Sequence, residues 1–230
     1  MCVEMSNRTL PPCEVHSLGV LPYGEALELQ RRLLLQRQRN EIPDQLLLLQ
    51  HPHVITKGRN ARDANILAGE ELLRQRGVEV HEADRGGDVT YHGPGQLVAY
   101  PIIDLKPDRC DLHRYVRDLE KVLLATLHDL GIEGHTVAGR TGVWVGRPNA
   151  PEAKIAAIGV RVARWVTSHG IALNVAPDLD FFQMIVPCGL AQRDVTSVHE
   201  MLPAKPDVQE VGALFVRNFG PVFERRMIDG

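Results

Sequence analysis

The sequence predicts an α+β fold, a mixed sheet flanked by helices. Two long apolar-rich runs, 154–163 and 166–175, are separated only by Arg164-Trp165, the spacing of an antiparallel hairpin. The amphipathic segments are of unequal length and unevenly spaced, so a regular βαβ alternation does not fit. The remaining apolar runs are short and bounded by glycine, proline and charge, as strands of such a sheet would be.

Taken in order, residues 1–13 read as a flexible tail and 14–230 as a single domain. Residues 24–39 predict an amphipathic helix, with Leu27, Leu33, Leu34 and Leu35 among Gln and Arg. Residues 46–49 and 54–56 read as buried strands broken by His51-Pro52-His53. A short helix over 70–76 ends at Gly77, and 78–82 is a strand leading into a glycine-rich segment. A strand at 97–103 follows. The longest helix spans 111–130, with Leu112, Tyr115, Leu119, Val122, Leu123, Ala125 and Leu127 as its apolar face and Gly131 closing it. Short strands around Thr136 and at 143–145 precede the hairpin, and 208–225 is a C-terminal helix.

Composition narrows the function classes. The 230 residues carry 44% hydrophobic and 24% charged residues and a formal charge of −3, so no global basic field favours nucleic acid or an anionic membrane. No apolar run approaches the ~20 residues of a membrane helix. The first residues lack a basic and apolar leader, and a cytoplasmic location is expected. Cys2, Cys13, Cys110 and Cys188 form no C-x-x-C pair, and a reducing compartment keeps them as thiols. His51-x-His53 straddles a proline with no carboxylate or cysteine nearby in sequence, so no metal site is expected.

The chemistry-bearing residues concentrate in Arg85-Gly-Gly-Asp-Val-Thr-Tyr-His-Gly-Pro-Gly-Gln-Leu-Val98. The glycines could serve turns, or let backbone approach a ligand that Arg85 and His92 orient. No Gly-Lys-Ser/Thr follows, which excludes a phosphate loop. A strand follows Gly93-x-Gly95 where a dinucleotide turn needs a helix. Cys188 sits between Pro187 and Gly189. It is either a small buried hydrophobe or a nucleophile on a tight turn. Lys154 opens an apolar strand and reads as a solvated end or, facing a cleft, as a base. His92 and His169 are rival bases.

These segments resemble the lipoyl(octanoyl) transferases, the octanoyl-[acyl-carrier-protein]:protein N-octanoyltransferase family. The resemblance rests on Arg85–Val98 together with Gly139-Arg-Thr-Gly-Val-Trp-Val145, Lys154-Ile-Ala-Ala-Ile-Gly-Val160, His169-Gly-Ile-Ala-Leu-Asn-Val175, Pro187-Cys-Gly-Leu190 and Val195-Thr-Ser197. It implies the fold of the catalytic domain of lipoate- and biotin-protein ligases. It also implies Cys188 as thioester-forming nucleophile and Lys154 as its acid/base partner, with no cofactor. The acyl-binding positions it carries over are Arg85, Gly86, Gly87, Asp88, Val89, Thr90, Tyr91 and His92; Ala157, Ile158 and Gly159; and Gly170, Ile171 and Ala172. His169 is a supporting candidate.

Implied partners are octanoyl-acyl-carrier protein as donor, and lipoyl domains of 2-oxoacid dehydrogenase complexes and glycine cleavage H protein as acceptors. Neither nucleic acid nor membrane is expected, and a monomer is the default. Ile171 and Leu190 depart from the family's Phe and Ile, which would trim the acyl pocket. Backbone N–H groups of Gly189 or Leu190 are candidates for stabilising an oxyanion. Arg59 and Arg62 with Lys57, or Arg140, are candidates for a basic patch facing an acidic carrier protein. An ATP-dependent ligase, a thioesterase and a non-enzymatic binding module are the rival readings.

Overall fold

A computed structural model describes residues 10–146, 152–186 and 195–230. The elements run β1 (Pro12–Val20), α1 (Tyr23–Gln38), β2 (Asp44–Gln50), β3 (Val54–Lys57), α2 (Glu70–Gln75), β4 (Glu79–Glu82), β5 (Val89–His92) and β6 (Gln96–Ile102). There follow α3 (Leu112–Asp129), β7 (Gly134–Val137), β8 (Arg140–Val145), β9 (Ala153–Ala163), β10 (Val166–Asn174), α4 (Val198–Met201), α5 (Val208–Phe223) and β11 (Arg226–Asp229). Short 3-10 turns lie at Asp63–Asn65 and Leu179–Met184.

The main sheet has the order β11-β1-β2-β6-β10-β9-β8-β7, and a second sheet has the order β4-β3-β5. Strand β1 is parallel to both its neighbours, whereas the run from β2 through β7 is antiparallel. The sheet is therefore mixed, as expected.

Helices cover both faces of its centre. Leu46, Leu48, Leu97 and Ala99 point into a core shared with Tyr115, Leu119, Val122 and Leu123 of α3 and Phe215, Phe219 and Phe223 of α5. Leu47, Leu49, Val98 and Tyr100 point the other way, against Ala26 and Leu34 of α1. A strand buried on both faces has no polar side to alternate with, which explains the unbroken leucines of β2. Asp111 starts α3 by accepting from the backbone N–H groups of His113 and Arg114. Asp207 and Glu210 form a capping box at the start of α5.

Four findings correct or extend the sequence expectations. Pro12 and Cys13 belong to β1, and Cys13 is fully buried, so a tail ending at 13 would cut the first strand. Burial pushes the Cys13 thiol up to about 12, which leaves it protonated and inert. The glycine-rich segment contains strand β5 rather than loop alone. The C-terminal residues form β11, which pairs with β1. Leu112, assigned to the apolar face of α3, is exposed.

Candidate active site

A cavity of about 470 Å³ lies between the β9–β10 hairpin, segment 85–92 and the β7–β8 hairpin. Arg85, Gly86, Gly87, Asp88, Val89, Thr90 and His92 line it, as do Lys154, Ala157, Ile158, Gly159, His169, Gly170, Ile171 and Ala172. Residues from Arg85 to Ala172 meet because β9 and β10 pair with Gly159 opposite Gly170 and Ala157 opposite Ala172. Gly86 N–H then donates to the Val160 carbonyl at 2.9 Å, tying the glycine-rich loop to β9.

Tyr91 is the exception. Its ring turns away into a cluster with Phe181 and Phe182, and its hydroxyl is hydrogen-bonded to His53 Nδ1 at 2.7 Å. Arg85 is buried and spends its guanidinium on structure. It donates to the Thr56 carbonyl and Oγ1, both at 2.8 Å, and to the Gly86 carbonyl. Asp88 accepts from Asn65 Nδ2 at 2.6 Å and from Val89 N at 2.7 Å.

Lys154 stands near the start of β9, directly across from Trp144 of β8, with Nζ 4.7 Å from the Trp144 ring centroid. The ring face attracts the ammonium. Gly142 makes room for this lysine. At φ +129° it holds a conformation L-residues avoid, and a Cβ there would lie 2.6 Å from the Ala156 carbonyl oxygen and 3.0 Å from Lys154 Cε.

A buried polar chain runs beneath the cavity. Gln96 Nε2 donates to Asn174 Oδ1 at 2.9 Å, and Asn174 Nδ2 donates to the Thr196 carbonyl at 3.0 Å. Gln96 Oε1 is thus left to accept from His92 Nδ1 at 2.7 Å. Neutral His92 carries its proton on Nδ1 and keeps Nε2 as an acceptor. Burial, aided by nearby His51, pulls its pKa down to about 3. The Thr196 N–H donates to the Lys154 carbonyl, so the chain ends on the lysine's own backbone.

His169 sits in β10 at φ +56° and is 2% exposed. Its Nε2 donates to Asp84 Oδ1 at 2.7 Å, and its backbone N–H donates to Gln30 Oε1. Burial holds the imidazole below its usual pKa despite that carboxylate. His51 uses both nitrogens, with the Leu21 carbonyl and the Tyr100 hydroxyl. Lys57 is neutralised by Asp63 and Glu82, which removes it from any free basic patch. Exposed Arg140 does line the cavity.

Cys188, Gly189 and Leu190 lie outside the described residues. The flanking residues are placed. Val186 N–H donates to the Asn65 carbonyl at 2.8 Å, and Val195 bridges to Lys154 and lines the cavity. Sequence reasoning missed Tyr23, Gln96, Tyr100, Trp144 and Asn174 as cavity residues. Trp144 and Gly142 lay inside a quoted motif but were given no role, and nothing local marked Tyr23.

Comparisons with known proteins agree on the family and the fold. Residues 22–220 match the family described as the lipoyl protein ligase A/B catalytic domain. An octanoyltransferase of Solibacter usitatus is 50% identical over 218 residues, covering 95% of this chain and 96% of that one. A bipartite lipoate protein ligase from Thermoplasma acidophilum shares the fold, with a TM-score of 0.76 at 17% identity over 96% of this chain and 87% of the other. A biotin protein ligase from Aquifex aeolicus shares it more distantly, with a TM-score of 0.53 at 14% identity, over 93% and 70% of the two chains. The expected fold kinship is thus present, and the chain belongs to the lipoyl protein ligase A/B catalytic domain family, among its octanoyltransferases, as an acyltransferase.

Proposed function

We propose that this acyltransferase moves an octanoyl (or lipoyl) group from acyl-carrier protein to a specific lysine of lipoyl domains, through a thioester on Cys188. The acceptors are lipoyl domains of 2-oxoacid dehydrogenase complexes and glycine cleavage H protein, in the cytoplasm. The observation that carries the reading is one cavity that joins Lys154 to aliphatic walls from Ala157, Ile158, Ile171 and Ala172. Its rim includes Val195, seven residues after Cys188 in sequence.

The chemistry balances without an added reactant. The Cys188 thiolate attacks the thioester carbonyl of octanoyl-carrier protein, and the carrier thiolate leaves and takes a proton. The acceptor lysine amine then attacks the Cys188 thioester, loses a proton and releases the Cys188 thiolate. Lys154 serves as the proton-handling group in both halves, and its ammonium favours the thiolate form of Cys188. A thioester is already activated, so ATP has no role in this sequence of steps.

The test is to mix the protein with octanoyl-carrier protein, without ATP, and locate the acyl group by mass spectrometry. The expected adduct is on Cys188 and absent from Cys188→Ala. Lys154→Ala should slow acylation at neutral pH by roughly a hundredfold, the lower range for general acid–base catalysis. An adduct elsewhere, or its persistence in Cys188→Ala, refutes the nucleophile. Wild-type rates in Lys154→Ala remove that residue from the mechanism. ATP-dependent transfer would indicate a ligase, free octanoate a thioesterase, and binding without turnover a non-enzymatic module.

A further inference from the structure

Among the described residues that line the cavity, the exposed ones are Leu112, Gly139, Arg140 and Thr141. They mark its mouth, and they come from the start of α3 and the start of β8. A fork in the sheet opens this mouth. Strand β8 is paired with β9 over Val143–Val145 and, among the described residues, not over Arg140, Thr141 or Gly142. Arg140 pairs instead with Val137 of β7, while β9 continues alongside β10. Beside the parting strands, Leu112 and Val116, one turn apart on α3, reach the cavity and give its mouth an apolar wall.

The charge at the mouth is positive. Arg85, Asp88, Arg140 and Lys154 are the lining residues that carry charge. Arg85 is buried and bonded to Thr56, and the Asp88 carboxylate is engaged by Asn65 and the Val89 N–H. Lys154 is half-buried over Trp144. Glu120 of α3 turns its carboxylate to the Gly142 N–H at 3.2 Å. Arg140 is the exposed member of the four.

An acyl carrier holds its thioester on a pantetheine arm. From the sulfur outward the arm carries two amides, a gem-dimethyl carbon and a terminal phosphodiester. Its apolar bulge and its anion are neighbours, as the Leu112–Val116 pair and Arg140 are at the mouth. The extended arm spans about 15 Å, the reach of a peptide with as many backbone bonds. Arg140 stands two residues, about 7 Å of strand, from Gly142, where an added Cβ would lie 3.0 Å from Lys154 Cε. A thioester carbonyl at Lys154 therefore leaves the phosphate within reach of the Arg140 guanidinium.

We propose that the mouth is the site for the donor's phosphopantetheine arm, with Arg140 reading the phosphodiester and Leu112 and Val116 taking the gem-dimethyl group. The assignment rests on the acyl-transfer reading above. Guanidinium and phosphate match in charge and in hydrogen-bond geometry.

The test compares octanoyl-pantetheine, octanoyl-phosphopantetheine and octanoyl-carrier protein as donors. The readout is the second-order rate constant for acylation of the protein before any acceptor is added. The wild type should favour phosphopantetheine over pantetheine by about tenfold, the lower range for a hydrogen bond to a charged group. Arg140→Gln should bring that ratio within about twofold of one and slow acylation by octanoyl-carrier protein by about the same tenfold factor. Arg140→Lys should keep part of the preference, and Arg62→Gln, an exposed arginine outside the cavity, should keep all of it. Leu112→Asn should slow both pantetheine donors by about threefold and preserve their ratio.

A wild-type ratio near one, or one that Arg140→Gln does not move, overturns the arm site, while acylation itself leaves the acyl-transfer reading standing. A loss in Arg140→Gln confined to octanoyl-carrier protein would assign Arg140 to the carrier's protein surface and likewise overturns it. Wild-type rates in Leu112→Asn overturn the apolar contact. No acylation by any of the three donors overturns both readings.

Discussion

Side chains at the site are placed by their neighbours as much as by their own chemistry, and Lys154 shows this most clearly. Its ammonium lies over Trp144 only because Gly142 leaves a gap beside its stem. Gly142→Ala should therefore do two things. The left-handed backbone and the contact with the Ala156 carbonyl should destabilise the fold by about 1–3 kcal/mol. Displacement of Lys154 should slow acyl transfer by roughly a hundredfold. Urea unfolding with single-turnover acylation separates the two, and a stable variant with wild-type rates would dismiss the positioning role. Lys154 and the ranges around Gly86, Gly159 and Gly170 were legible in the sequence through motif resemblance. Tyr91 was misread for a physical reason. In a loop its side chain has no assigned side, but once 89–92 pairs with β3, alternate residues face opposite ways and Tyr91 joins Phe181. Tyr23 was illegible because only α1 packing on β6 and β10 brings it to the cavity.

Elements with strong local signals appeared where the sequence placed them. Helix α3 starts at an Asp cap and ends before Gly131 at φ +82°, and α2 ends before Gly77 at φ +63°. The β9–β10 hairpin also holds, but its turn is unusual. Arg164 and Trp165 take φ +53° and +67°, values that two-residue turns normally give to Asn and Gly. Replacing the pair by Asn-Gly should relieve that strain and raise stability by about 0.5–1 kcal/mol, read as a higher urea midpoint. A fall in the midpoint would mean that Trp165 packing outweighs the strain. Strands β1 and β11 were missed because neither carries a sustained alternation of apolar residues, and pairing with each other and with β2 makes them strands. Strand β5 does alternate Val89 and Tyr91, but its four residues are enclosed by glycines that read as loop.

At the scale of the molecule, the two faces of the sheet and the buried polar groups decide stability. Asp44, 2% exposed, accepts from Arg37 at the end of α1 and from Arg225 just after α5, locking both helices to β2. Burial lowers the pKa of His51 to about 4 and of His92 to about 3. Both are neutral in the fold at pH 7. An unfolded chain protonates histidine near pH 6.5, so below that pH it takes up protons the folded chain refuses. The stabilising contribution is complete above about pH 6.5 and declines as pH falls through about 4 and then about 3. At pH 5 the loss should be about 2 kcal/mol per histidine, seen as a lower urea midpoint than at pH 7. A midpoint that does not move between the two would show that both imidazoles ionise freely. By itself the sequence determined the family, the caps and turns, the doubly buried central strands and the residue types fit for acyl transfer. Those properties are local or carried by short motifs. Only the tertiary structure decided which strand joins which, that β1 pairs with β11, and which side chains face the cavity. Those depend on pairings between residues far apart in sequence, whose register no local pattern specifies.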